Sequence, residues 1–359
     1  MNKSNLLTDT LVLHVGKSIN KARIRLLSLM ILALYKVQTV NFEKLAGAFE
    51  SPADRASSLR RLQRFIAHYN LPGEVVSKLI FALLPEEPPY GLLMDRTNWK
   101  SGSFDINILM LSICCKGTSI PIVFCLLPKG SSSAAHRIGL MERYINLFGK
   151  NTIAKLIADR EFTGEAWLSY LWAEKIKYII RIKDGSYAIN RKNGKRIKIK
   201  GVFNRLALGQ TQYIPQQFII HGNYCYLSAR RFVNRNMKIE LMVLISFDPE
   251  PGTFDSYMHR WQIESMFKAL KSSGFNIEDT HLREPHRFQK LLSIVMIAFT
   301  WAYITGLYCH TRIKPIRRLK HGRRAKSFFK YGLEFIALAL MNNYRKRFFN
   351  IAINILSCT

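Results

Sequence analysis

Acidic residues are scarce in this chain: 24 Asp and Glu stand against 54 Lys and Arg in 359 residues, a net charge of +30. That balance excludes a protein whose surface charges neutralise one another. So large an excess of one sign opposes compaction unless a polyanion compensates it, and nucleic acid is the commonest polyanion. Cysteine is also sparse. Cys114, Cys115, Cys125, Cys225, Cys309 and Cys358 form no C-x-x-C pair and mostly sit in apolar runs. They read as reduced thiols of a cytoplasmic protein, and they exclude a disulfide framework and a cysteine zinc site. The nine histidines show neither H-x-x-x-H nor H-E-x-x-H spacing. No Gly-x4-Gly-Lys-Ser/Thr loop occurs, which excludes nucleotide hydrolysis of the P-loop type. Residues 1–16 are interrupted by Asp9 and lack a small-residue cleavage site, so no secretory signal is expected. A single run, Leu291–Cys309, approaches the ~20 residues of a membrane span. It carries Ser293, Thr300 and Thr305 and stands alone, which predicts a buried core helix and no membrane.

What is present is a globular chain, 48% hydrophobic and 12% aromatic. Residues 1–85 read as helical throughout and form a candidate N-terminal DNA-binding domain. Ile19–Val37 is a long apolar helix, and a short one surrounds Phe42–Phe49. Ser51-Pro52-Ala53-Asp54 reads as a helix start with Ser51 as N-cap. In the helix that follows, to about Tyr69, Leu59, Leu62, Ile66 and Tyr69 recur at helical spacing. Arg60, Arg61 and Arg64 lie on its other sides as candidate DNA contacts; taken alone, a solvated arginine face is the better explanation of them.

Glu86-Glu87-Pro88-Pro89 is a polar linker, after which strands begin. The predicted order over 86–183 is three strands, helix, strand, helix, strand. Tyr90–Met94 ends at Asp95, Phe104–Cys115 and Ser119–Leu127 form a hairpin, a helix spans Ala135–Phe148, Ile153–Ala158 ends at Asp159, and Ile176–Ile182 closes the series. Residues 184–250 break the rhythm as a β-rich insertion, with hairpin turns at Asn193-Gly194 and Gly222-Asn223. Helix resumes near Thr253 and occupies most of 251–310. Residues 311–359 form a basic helical region, dense in cations from Arg312 to Lys330, with a final helix over Glu334–Phe349.

The few acids are informative by position. Asp95 and Asp159 are each expected at a strand end, where a sheet presents side chains to a site. Turn-capping explains either one singly. On the segment after Thr253, at about 100° per residue, Tyr257, Arg260, Glu264 and Lys271 fall within roughly a 60° arc. Ile263, Met266, Phe267 and Leu270 fall on the adjoining, buried face. Alone, an i, i+4 ion pair between Arg260 and Glu264 suffices to explain that polar stripe. Glu161 is the runner-up carboxylate beside Asp159.

The spacing Tyr257-x2-Arg260-x3-Glu264-x6-Lys271 is similar to the signature of DDE transposases of the insertion-sequence 4 family. Met94-Asp95-Arg96-Thr97-Asn98-Trp99 resembles that family's first acidic motif, and Ala158-Asp159-Arg160-Glu161-Phe162 resembles its second. The resemblance runs over roughly residues 20–310. It implies an α/β fold: a ribonuclease-H-like mixed-sheet core with a β-rich insertion, preceded by an all-helical N-terminal domain. It further implies that Asp95, Asp159 and Glu264 are the catalytic, metal-binding triad. Two Mg2+ ions about 3.5–4 Å apart, for which Mn2+ substitutes, would activate water and stabilise the leaving oxygen. Hard cations of this kind take oxygen ligands. Tyr257, Arg260 and Lys271 would contact DNA phosphates. The expected partners are double-stranded DNA, as transposon terminal inverted repeats and target, and a second copy of the chain in a synaptic homodimer. A structure-specific nuclease, or a catalytically silent DNA-binding derivative, is the alternative.

Overall fold

The structure is a computed structural model that describes residues 2–101, 104–234, 236–342 and 346–357. Five helices come first: α1 (Lys3–Val15), α2 (Lys21–Val37), α3 (Phe42–Gly47), α4 (Arg55–His68) and α5 (Gly73–Ala82). Asparagines cap three of them, each side chain accepting a backbone N–H: Asn2 from Ser4, Asn20 from Arg23 and Asn41 from Lys44. The start of α4 differs from the sequence expectation. Asp54, not Ser51, is its N-cap, accepting from the Ser57 N–H at 2.7 Å. The Ser51 hydroxyl is engaged instead by the Ala53 N–H. Leu62, Phe65 and Ile66 are buried, while Arg60 and Arg64 are exposed and Arg61 is half-buried.

The sheet then begins with β1 (Tyr90–Ser101), β2 (Phe104–Cys115) and β3 (Thr118–Leu126). Next come α6 (Ala134–Phe148), β4 (Ile153–Ala158), α7 (Glu165–Ala173) and β5 (Tyr178–Ile182). The expected order of three strands, helix, strand, helix, strand is what the chain forms. The β-rich stretch follows as β6 (Tyr187–Asn190), β7 (Arg196–Lys198), the one-turn α8 (Ile199–Val202), β8 (Thr211–Ile220), β9 (Asn223–Val233) and β10 (Ile239–Ser246). Its β8–β9 turn is His221-Gly222, both with positive φ, one residue earlier than expected. Two positive-φ central residues match the right-handed twist of the flanking strands.

All ten strands form one mixed sheet in the order β3-β2-β1-β4-β5-β10-β9-β8-β6-β7. Within it β1–β4 and β4–β5 are parallel, and the other pairings are antiparallel. The β-rich stretch is therefore a lateral continuation of the sheet, joined through β10.

The chain ends in α9 (Thr253–Met258), α10 (Trp261–Lys271), α11 (Pro285–Tyr308), α12 (Phe328–Met341) and α13 (Lys346–Leu356). All but the last residue of the apolar run Leu291–Cys309 lies in α11, which is long and apolar enough to cross a membrane. Of its most apolar window, 89% is buried inside the protein. It packs against α2, α4, α5, β3, α12 and α13. Buried polar groups close that packing: the Tyr35 hydroxyl donates to Ala298 O at 2.6 Å, and Trp301 Nε1 to Ala352 O at 2.8 Å. The α11–α12 crossing needs two glycines. A Cβ on Gly306 would lie 1.8 Å from Phe328 O, and one on Gly332 the same distance from Ala302 O. In place of the single final helix expected over 334–349 there are two, because α12 ends at Asn342 in extended backbone. Residues 343–345 of that expectation, and Cys358, lie outside the described residues.

Candidate active site

Strand register brings the first two acids together. In the parallel β1–β4 pair, Met94 lies opposite Ala158. Asp95 and Asp159 are the next residue on each strand, so the pairing makes them neighbours. The expectation that both end a strand holds only for Asp159. β1 continues through Asp95 to Ser101, because its other edge stays paired with β2 as Asp95↔Met110 through Ser101↔Phe104. Asp95 thus sits where one neighbour strand stops and the other goes on, at a notch in the sheet.

The third acid arrives on α10. Burial of Ile263, Met266, Phe267 and Leu270 presses this helix onto the sheet. The segment from Thr253 is not one helix, as the periodicity predicted. α9 ends at Met258, and the Arg260 N–H bonds to Tyr257 O and the Ile263 N–H to Arg260 O, three residues back in each case. This tighter turn rotates Arg260 inward. Its side chain is 10% exposed, with one guanidinium nitrogen 2.6 Å from Glu264 Oε1 and another 3.6 Å from Asp95 Oδ2. The Tyr257 hydroxyl, also buried, donates to Asp159 Oδ1 at 3.3 Å. Asp95, Asp159, Glu264, Tyr257 and Arg260 therefore form one cluster. Lys271 stands apart at the far end of α10, over the Trp99 ring and 3.1 Å from Glu278.

The electrostatics agree with that geometry. Burial pushes the Asp95 carboxyl up to about 6; the nearby charges of Asp159 and Glu264 push the same way, against the Arg96 N–H and the Arg260 guanidinium. For Arg260, burial disfavours the charge, but Tyr257, Asp159 and Glu264 outweigh it and the group stays more basic than usual. Burial likewise raises the Tyr257 hydroxyl well above its usual range. A buried carboxyl surrounded by others calls for a cation. Here the Arg260 guanidinium supplies it, and its Nε has no hydrogen-bond partner. Among the described residues no three acids, histidines or cysteines are gathered as a ready metal site. The donors that do approach are all oxygens, the type a hard divalent cation takes.

A second polar network fixes the loops around this cluster. Arg96 grips both oxygens of Glu161, at 2.8 and 3.2 Å, and donates to Asn107 Oδ1. Asn107 in turn donates to Pro128 O and Gly130 O. Arg137, buried on α6, donates to Glu161 O, Ser132 O and Thr163 O. Glu161, the runner-up carboxylate in the sequence, is therefore occupied by Arg96. A bidentate arginine–carboxylate pair is among the stronger and more directional ion pairs. It ties the residue after Asp95 to the loop that carries Asp159. Sequence reasoning gave Arg96 no role beyond its place in the first acidic motif, and passed over Asn107 and Arg137. Arg137 did leave a signal, since it shares an i, i+3, i+4, i+7 stripe with Leu140, Met141 and Tyr144, where an apolar residue belongs. Among the described residues, none of the arginines proposed on α4 bonds to the cluster; Arg61 donates weakly to the Ser51 hydroxyl.

Comparison with known proteins bears on this cluster. The family model described as "Transposase DDE domain" matches residues 86–301, more than half of the chain and all of the strands and acids above. A cryo-EM structure of the piggyBac transposase synaptic complex with hairpin DNA is similar over 96% of this chain and 78% of that one, at 15% identity and a TM-score of 0.46. The comparison with curated proteins returns no match.

Proposed function

From the premise that this chain belongs to the transposase DDE domain family, we propose that it is a cut-and-paste DNA transposase of the insertion-sequence 4 type. It binds the terminal inverted repeats of its element, hydrolyses phosphodiesters there and joins the freed 3′ ends to target DNA. The observation that carries this reading is the convergence of Asp95, Asp159 and Glu264, three of only 24 acids in a chain of 359 residues, around one buried guanidinium. The strand order β3-β2-β1-β4-β5, with α6 and α7 as connections, supports a ribonuclease-H-like core over 86–183 and 251–310, flanked by the helical region 1–85 and the insertion 184–250.

Asp95, Asp159 and Glu264 are the residues that would hold divalent metal, Mg2+ or in its place Mn2+. When bound, two such ions activate the attacking oxygen and stabilise the leaving one. The chain's own groups prepare that centre. The notch in the sheet holds Asp95 and Asp159 side by side. Burial keeps water from fully screening the charge of Asp95. Arg260 compensates Asp95 and Glu264, and a DNA phosphate arriving at the cluster offers that guanidinium a bidentate partner of the same geometry as a carboxylate. Tyr257 orients Asp159 through its hydroxyl. Lys271 would meet a phosphate further along α10 by exchanging its Glu278 partner, and Arg60, Arg61 and Arg64 on α4 would contact phosphates elsewhere on the DNA. Cleavage at paired ends implies a homodimer in the DNA complex, acting in the cytoplasm.

The test is cleavage, in Mg2+, of a plasmid carrying the sequences that flank the coding region. The wild type is expected to cut at the element boundaries. Asp95→Asn and Glu264→Gln are each expected to lower cleavage on the order of 10⁴-fold, the scale of removing a member of a catalytic unit, while binding the same DNA. Wild-type rates in either variant would refute the assignment.

A further inference from the structure

Residues 312–330 hold nine Lys and Arg and no acid. After a π-helical turn at the end of α11 (Cys309–Ile313), this segment folds into a short hairpin. Arg318 pairs across it with Arg324. The Leu319 N–H bonds to Arg323 O at 2.8 Å, the Ala325 N–H to Arg317 O at 2.9 Å, and Gly322 takes the positive φ of the turn. Arg317, Arg318, Arg323 and Arg324 are all exposed, and none has an acidic partner within ion-pair distance among the described residues. Like charges directly opposite one another across a strand pair are destabilising. Elsewhere the chain's scarce acids are used to pair cations, as in Lys155–Glu250, Lys177–Asp248 and Arg181–Glu240. The hairpin receives none of them.

Its position links it to the acidic cluster. The Arg324 guanidinium stacks over the Phe328 ring and reaches to 3.9 Å from the place a Cβ on Gly117 would take, in the β2–β3 turn. That same turn is bonded to the start of α10. The Cys115 N–H donates to Gln262 Oε1 at 3.2 Å, and the Thr118 hydroxyl contacts Gln262 O at 3.5 Å. Gln262 is two residues before Glu264. The hairpin is thus tied, through the β2–β3 turn, to the start of the helix that carries Glu264.

We propose that the hairpin Arg317–Ala325 is a phosphate clamp for duplex DNA flanking the cleavage site, binding it without regard to sequence. The inference rests on the transposase reading for its choice of polyanion. Four arginines fit it because each can grip a phosphate through two parallel N–H bonds. A membrane surface fits less well, since surface-binding elements pair their cations with an apolar face, and the tip Lys320-His321-Gly322 has none.

The experiment measures the affinity of the full-length protein for a labelled duplex of arbitrary sequence, by fluorescence anisotropy over a range of salt. The wild type is compared with variants carrying Gln or Lys at all four of Arg317, Arg318, Arg323 and Arg324. Each lost phosphate contact flattens the log–log salt dependence by about 0.9, so the Gln variant is expected to have a slope shallower by roughly 3–4. The Lys variant is expected to keep most of the wild-type slope. Thermal melting of each variant checks folding, and the Gln variant is expected to melt no lower than the wild type, because the like-charge pairs are gone. An unchanged slope in the folded Gln variant overturns the clamp. So does a loss confined to vesicles containing phosphatidylserine with duplex binding intact. Failure of the wild type to bind any duplex would instead refute the transposase reading on which the choice of DNA rests, so the two failures are told apart.

Discussion

The two halves of the ten-stranded sheet are built differently. In the half that carries the acids, β3 and β5 are buried along most of their length. Helices lie against it: α6 and α10 contact β2 and β3, and α11 contacts β3. In the other half, β6, β7 and β8 alternate or are largely exposed. Residues 185–239 there contain eleven Lys and Arg and not one Asp or Glu. A sheet buried by helices is where a carboxyl loses its hydration and needs a fixed cation partner. An antiparallel extension with a wet face can hold unpaired cations at little cost, available to a polyanion. One continuous sheet thus separates two tasks: holding Asp95, largely buried, beside Asp159 at a notch, and presenting abundant cations to solvent.

Strand β10 joins the halves and gives the largest expected contrast. It runs from Ile239, 64% exposed, to Ile245, fully buried. Ile245→Ala is expected to cost about 2–5 kcal/mol of unfolding free energy, and Ile239→Ala to stay within about 0.5 kcal/mol. Denaturant titration reads both. Equal effects would mean that the insertion shares the core's packing.

The next effect is the pH dependence of the dry half. The Asp95 carboxyl rises from 3.8 to about 6 on folding, chiefly through burial. The folded state therefore holds its proton more tightly than the unfolded chain between those values. Stability linked to this group is present below about pH 4, falls as pH rises to about 6, and stays lower above. At about 1.4 kcal/mol per pH unit, the loss is roughly 2–3 kcal/mol. Asp95→Asn is expected to remove this component of the pH profile when melting is followed in the absence of divalent cation. A variant profile with the same fall would place the titration elsewhere.

Smallest is the Arg96–Glu161 pair, whose side chains are 22% and 28% exposed. Arg96→Ala leaves Glu161 half-buried without its partner and is expected to cost about 1–3 kcal/mol. Cleavage should fall further than stability alone explains, because the loop bearing Asp159 is freed. The exchanged pair, Arg96→Glu with Glu161→Arg, is expected to restore stability in part. Stability of Arg96→Ala equal to the wild type would remove the network from the account.

Much of this was legible in the sequence. Apolar runs bounded by turn residues marked β2 to β5 closely and the start of β1, because alternating and β-branched patterns record burial directly. Asp159 was found as a strand end for the same reason. Asp95 was misread as a strand end. Whether β1 stops there depends on its β2 neighbour, and pairing is not recorded in the strand's own pattern. The kink between α9 and α10 was hidden too, since Met258 to Ile263 keeps helical dihedrals while the hydrogen bonds tighten. The Arg260 bridge to Asp95 spans 165 positions of chain and could not be read from local spacing, although its i, i+4 contact with Glu264 was. The hairpin turns marked residues 184–250 as β-rich, but not as a continuation of the same sheet.

The central claim, that Asp95, Asp159 and Glu264 act as one cation-binding centre, is tested most directly by anomalous diffraction from crystals of the protein–DNA complex grown with Mn2+. The account predicts manganese peaks within coordination distance of carboxylate oxygens from all three residues, with Arg260 turned toward phosphate. Manganese bound elsewhere, with Arg260 still bridging Asp95 and Glu264, would contradict it.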